Sequence, residues 1–140
     1  MAFARLTVGL FQGPREPRIL ICGSTDALLA FAKELRRLGS GATRSLDFAD
    51  FADVRGSLRF RAACRPDACR KACIATPYQR DATSFEWVLD EEICLELAEK
   101  TERLAATRHG HQYLFVDATD DAEIVLSEGE YDEHVFDDAG

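Results

Sequence analysis

This chain has no apolar run long enough to cross a bilayer. Runs such as Ile19-Leu20-Ile21-Cys22 cover a few residues, whereas a spanning helix needs about 20. Its start, Met1-Ala2-Phe3-Ala4-Arg5, has no basic region, apolar core or small-residue cleavage site of the secretory kind. The expectation is therefore a soluble, cytoplasmic protein with no membrane partner. A glycine-rich phosphate loop is also missing, because the isolated Gly39-Ser40-Gly41 is a helix stop. No Ser or Cys stands in a nucleophile elbow. The five cysteines are an odd number, which argues against a disulfide framework in a chain that shows no sign of export. No cofactor is expected, and the balance is against an enzyme.

Positive charge is scarce in one part of the chain. Residues 81–140 hold 3 Lys and Arg against 18 Asp and Glu, a net of −15. Residues 1–80 hold 14 against 7, a net of +7, so the overall −8 hides a sharp division. The acidic part should repel nucleic acid and membrane surfaces and attract a basic protein. An apolar content of 46% over 140 residues is enough for one domain with a sizeable core.

What the chain does contain is one order of elements, stated twice. Leu6, Val8 and Leu10 alternate with polar or small residues as a first, half-buried strand. Ile19 to Cys22, apolar at every position, reads as a central strand covered on both faces. Gly23-Ser24-Thr25 supplies a turn and an N-cap oxygen. Leu28, Ala32, Leu35 and Leu38 then form a helical stripe with Phe31 alongside, and further strands follow near 42–48 and 58–62. In the second pass Phe85, Trp87 and Leu89 alternate as a strand. Asp90 caps a helix whose buried stripe is Ile93, Leu97, Thr101 and Leu104, flanked by Cys94, Ala98 and Ala105. Gly110 closes that helix, and strands follow at 111–116 and 123–127. The predicted fold is α+β: two tandem βαββ units plus an N-terminal strand, in a mostly antiparallel sheet with both helices on one face. A single domain over 1–140 would comprise units at 18–63 and 84–131. A basic, cysteine-containing connector would fill 64–83, marked by Pro66 and Pro77, with an acidic tail at 132–140.

The run Ile19-Leu20-Ile21-Cys22-Gly23-Ser24, followed by the helix Ala27 to Leu35, resembles small bacterial immunity proteins of polymorphic toxin systems. In that pattern a strand ending in Gly-Ser leads into a Leu/Ala-rich helix and then a strand with a His-containing start. The second copy supplies the last part as His109-Gly110-His111-Gln112-Tyr113-Leu114 and a closing strand as Ile124-Val125-Leu126. The first copy lacks the His, and the second has Leu89-Asp90 in place of Gly-Ser. The resemblance implies a non-enzymatic, toxin-neutralising inhibitor whose partner is a toxin.

Four constellations could carry chemistry. Cys64, Cys69 and Cys73 lie within ten residues of sequence, and Arg65, Arg70 and Lys71 would favour their thiolates. Zinc sites use two separate knuckles, and no second one exists, so no metal site is assigned. A thiol- or metal-dependent regulatory protein using these three cysteines is nevertheless the alternative function. Arg55, Arg59, Arg61, Arg65, Arg70, Lys71 and Arg80 could grip phosphates. Only Phe60 and Tyr78 are interleaved, however, and no nucleic-acid module is recognisable. Pairing of these arginines with the acidic second copy is more economical. His109 and His111 beside Asp117 and Asp121 fit helix capping better than acid–base work. Glu128, Glu130, Asp132 and Glu133 are the expected partner-binding residues, as an acidic docking surface that speeds capture of a basic protein.

Overall fold

The computed structural model of the chain describes residues 5–11, 18–64, 78–81, 83–113 and 123–128. Their order is β1 (Thr7–Phe11), β2 (Arg18–Cys22), α1 (Thr25–Ser40), β3 (Ser45–Asp47), a 3₁₀ turn (Phe48–Asp50), β4 (Asp53–Val54) and β5 (Arg59–Cys64). Then come β6 (Tyr78–Asp81), β7 (Ser84–Leu89), α2 (Glu91–Thr107), β8 (Gly110–Tyr113) and β9 (Glu123–Glu128). The fold is α+β, as the sequence pattern implies.

Both helices start where their caps dictate. The Ser24 Oγ accepts from the Ala27 amide at 3.3 Å, and the Asp90 Oδ1 accepts from the Ile93 amide at 2.8 Å. Each satisfies one of the donors left over in a first turn. Gly41 ends α1 in the left-handed conformation, at φ 85°, which glycine adopts without steric cost. The second helix ends differently from expectation. Its left-handed residue is Arg108, at φ 63°, two positions before Gly110.

The strands form two sheets rather than one. The first has the order β4-β1-β2-β9-β8 and the second β3-β5-β7-β6. Antiparallel pairs β1·β2 and β8·β9 lie in the first, and β3·β5 and β6·β7 in the second. What joins these hairpins is parallel pairing: β2 with β9, and β5 with β7. Each sheet therefore combines the opening strands of one copy with the closing strands of the other. The two copies have exchanged their C-terminal hairpins.

This exchange redraws the repeat. Its unit is ββαββ, and the second copy opens with β6, inside the stretch read as a connector. Pro77 immediately before Tyr78, and the charged pair Arg80-Asp81, hide β6 from a search for apolar alternation. It lies at the edge of its sheet, where such residues are tolerated.

One apolar core runs through both sheets and both helices, from Val8, Ile19 and Ile21 through Phe31, Leu35 and Phe60 to Trp87, Leu97 and Leu126. α1 rests on β3 and β5, and α2 on β8 and β9. Alternate residues of β2 face the other way. Leu20 and Cys22 form a second cluster there with Val125 and Phe11, so β2 is apolar on both faces as its sequence indicates. The second sheet differs, with exposed Arg59 and Arg61 alternating with buried Phe60 and Ala62.

The helices also meet each other. The last turn of α1 lies against the first turn of α2, where a Cβ added to Gly39 would stand 2.8 Å from the Cβ of Cys94. Further along, Arg36 Nη2 donates to Glu102 Oε1 at 2.7 Å and Arg36 Nε to Glu102 Oε2 at 2.9 Å. The Arg36 hydrogen bond holds the Glu102 carboxyl below its ordinary value of 4.5 against the opposing effect of burial. Both side chains are well exposed, at 41% and 38%, so the pair contributes little. A depressed folded-state value means that its contribution is present above pH 4.5 and is lost as pH falls through the lowered value. Chemical denaturation of Arg36→Ala should accordingly match wild type at high salt at every pH. A small deficit is expected only at low ionic strength and above the carboxylate range.

Candidate docking face and thiol pair

Glu128 is not a surface residue. It ends β9, is only 6% exposed, and its Oε2 accepts a 2.6 Å hydrogen bond from the Thr25 hydroxyl in the first turn of α1. Its Oε1 has no hydrogen-bond partner. A carboxylate at this end of a helix is favoured by the backbone dipole, so Glu128 ties β9 to α1. Docking through it would require breaking that tie. It is therefore withdrawn from the docking set. The acidic run that starts at Glu128 hid its role, because Glu128 reads as the beginning of a tail although it is paired with Gly110 of β8. Glu130, Asp132 and Glu133 lie outside the described residues, as do Cys69 and Cys73.

Within the described residues the acidic half shows its charge elsewhere, on α2. The apolar stripe of this helix, Cys94, Leu97, Ala98, Thr101, Leu104 and Ala105, is buried. The remaining face presents Glu92, Glu96 and Glu99 to solvent. Among them stands Leu95, 47% exposed. Helical spacing makes Glu92 and Glu99, three and four residues away, the acidic neighbours of Leu95, with Glu96 further round the same exposed face. The signal was available in the sequence, since Leu95 breaks the polar face of an otherwise regular stripe.

One arginine of β5 has acidic neighbours across the second sheet, while Arg59 lies in register with Ser84. Arg61 is in register with Asp47 of β3 and with Glu86 of β7. Opposite charges in such cross-strand positions are mildly stabilising. His109 and His111 are exposed at the α2-to-β8 turn. No group of three or more potential metal ligands occurs among the described residues. No helix there is long and apolar enough to cross a membrane.

Cys64 behaves differently from its sequence neighbours. It ends β5 opposite Leu89 of β7, one residue before the cap of α2. Its thiol feels that of Cys94, in the first turns of α2, and the two cysteines meet at Gly39, which lines one cavity with Cys64 and comes up against Cys94. Burial pushes the Cys64 thiol above its ordinary value, the Cys94 thiol pulls it partly back, and Glu91 and Asp90 push it up further. Cys94 is fully buried, Cys64 half-buried. Cys64 faces a cavity of about 380 Å³ whose lining includes Gly39, Thr43, Arg44 and Glu91. The two cysteines belong to different copies of the repeat and are 30 positions apart, which is why chain proximity pointed to Cys69 and Cys73 instead. Comparison of the chain with models of known families, with curated proteins and with solved structures finds no match.

Proposed function

We propose that this is a non-enzymatic binding protein that docks a basic partner through its acidic C-terminal half. The observation that carries this reading is Leu95, an exposed leucine set among Glu92, Glu96 and Glu99 on the open face of α2. An apolar anchor flanked by charge suits recognition, because the anchor supplies contact area and its surroundings exclude water. The carboxylates steer a basic surface toward it, which can raise association rates by roughly 10–1000-fold at low salt. The resemblance to immunity proteins makes the reading narrower: the partner is a toxin, and binding inhibits it.

The two parts of the surface should separate kinetically. Reversing Glu92, Glu96 and Glu99 to lysine is expected to slow association at least 10-fold at low ionic strength and to abolish its salt dependence. Leu95→Ala should leave association nearly unchanged and hasten dissociation. Leu95→Ala should denature like wild type, whereas the triple reversal should lose about 0.3–1 kcal/mol, because Glu92 stands in the first turn of α2. The test is affinity capture from extracts of the native host at low ionic strength, followed by kinetics on the protein recovered. Recovery of no basic protein, or equal recovery by the charge-reversed variant, would return this face to a solubilising role.

A further inference from the structure

We propose that Cys64 and Cys94 are a redox-active dithiol, oxidised to an intramolecular disulfide by a low-molecular-weight disulfide such as glutathione disulfide. The proposal stands apart from the docking face. It replaces a cluster of chain neighbours, Cys64 with Cys69 and Cys73, by a pair that the fold brings together. Strand register places the end of β5 beside Leu89, so Cys64 meets the first turns of α2. There Cys94 packs closely against Gly39 of α1. A Cβ on Gly39 would stand 3.9 Å from the Cys94 Sγ, and Gly39 lines one cavity with Cys64, so the two thiols share the neighbourhood in which an exchange reaction can join them.

Accessibility fixes the order of events. Cys94 is 0% exposed, whereas Cys64 opens to the cavity that Thr43, Arg44 and Glu91 line. The Cys64 thiolate attacks one sulfur of the reagent, a Cys64–reagent disulfide forms, and one reagent thiolate leaves and takes up a proton. Cys94 then loses its proton and attacks the Cys64 sulfur, the protein disulfide forms, and the second reagent thiol leaves. The dithiol loses two electrons and two protons, and the reagent disulfide gains them as two thiols. Arg44 at the cavity rim is placed to meet the carboxylates of an acidic reagent.

The carboxylates of Asp90 and Glu91 and the burial of Cys64 make its thiolate scarce at neutral pH. The first step should therefore be slow and should accelerate about tenfold per pH unit up to at least pH 9. The bond would link β5 of the first copy to α2 of the second, closing a loop between residues 64 and 94.

The test uses the full chain, equilibrated with mixtures of reduced and oxidised glutathione, quenched with acid, unfolded in denaturant and blocked with N-ethylmaleimide so that the buried Cys94 is reached, then mapped by mass spectrometry. The expected product is a peptide joined through Cys64 and Cys94, lighter by two hydrogens and restored by dithiothreitol. Oxidation should also raise the urea midpoint, through the constraint on the unfolded chain. In Cys94→Ser the reaction should stop at a glutathione adduct on Cys64, and in Cys64→Ser position 94 should stay free. A Cys64 joined to Cys69 or Cys73 in the wild-type chain would overturn the proposal. So would a Cys94 that remains alkylatable under oxidising mixtures, and neither result depends on how the variants fold.

Discussion

Trp87→Ala is expected to lower the free energy of unfolding by about 3–5 kcal/mol, the range for removing a large aromatic side chain from a packed core. Trp87 is fully buried on β7. Its ring stacks on Phe60 at 5.8 Å and 21°. Phe60 in turn stacks on Phe48 at 4.4 Å and 17°, and Phe48 meets Phe31 at 5.6 Å. The rings form a file from the second copy into β5, the 3₁₀ turn and α1 of the first. Removing Trp87 leaves a cavity and strips Phe60 of one stacking face. Trp87→Phe, which keeps a ring, should recover more than half of the loss. Urea denaturation monitored by circular dichroism is the measurement. A midpoint within error of wild type would mean that the file carries no load.

The second large effect is expected at Gly39. Placing alanine there brings two opposing terms. The helical backbone gains up to about 1 kcal/mol from replacing glycine, less in a last turn. Against that, the new Cβ would stand 2.8 Å from the Cβ of Cys94 and 3.4 Å from the carbonyl oxygen of Glu91. Neither neighbour is the free end of a flexible chain, so the helices themselves must move apart. Overpacking of this kind costs about 1–3 kcal/mol, and it wins. Gly39→Ala should destabilise by about 1 kcal/mol and Gly39→Val by about 2–3 kcal/mol. A stabilised Gly39→Ala would show that α1 and α2 are less tightly apposed than their contact at Cys94 implies.

Local features were legible in the sequence because local physics decides them. The N-caps Ser24 and Asp90, the α1 stripe from Leu28 to Leu38 and the α2 stripe from Cys94 to Ala105 all stand where periodicity puts them. Partner choice between strands was not legible. Whether β2 takes β9 or a strand of its own copy depends on contacts across more than a hundred residues, and nothing local to β2 distinguishes the candidates. The site suffered from the same blindness. Glu128 looks like tail until Thr25 is found beside it. Cys64 looks like one of a basic, cysteine-rich cluster until the parallel pairing of β5 with β7 delivers it to α2.

The exchanged hairpins have a further consequence, for how two copies of one unit can come to differ. A lone ββαββ unit leaves its central strands unpaired, so it would complete its sheets only with a second unit, at a stability set by protein concentration. Joining the units in one chain replaces that dependence with an effective concentration on the order of millimolar. It also frees matching positions to diverge. Counted from their caps, Arg36 and Glu102 occupy the same place in α1 and α2, yet they touch. In a symmetric pair of identical units that place would bring like charge against like. Only a fused chain can set an arginine against a glutamate there, and the same freedom lets one copy carry a basic character and the other an acidic one.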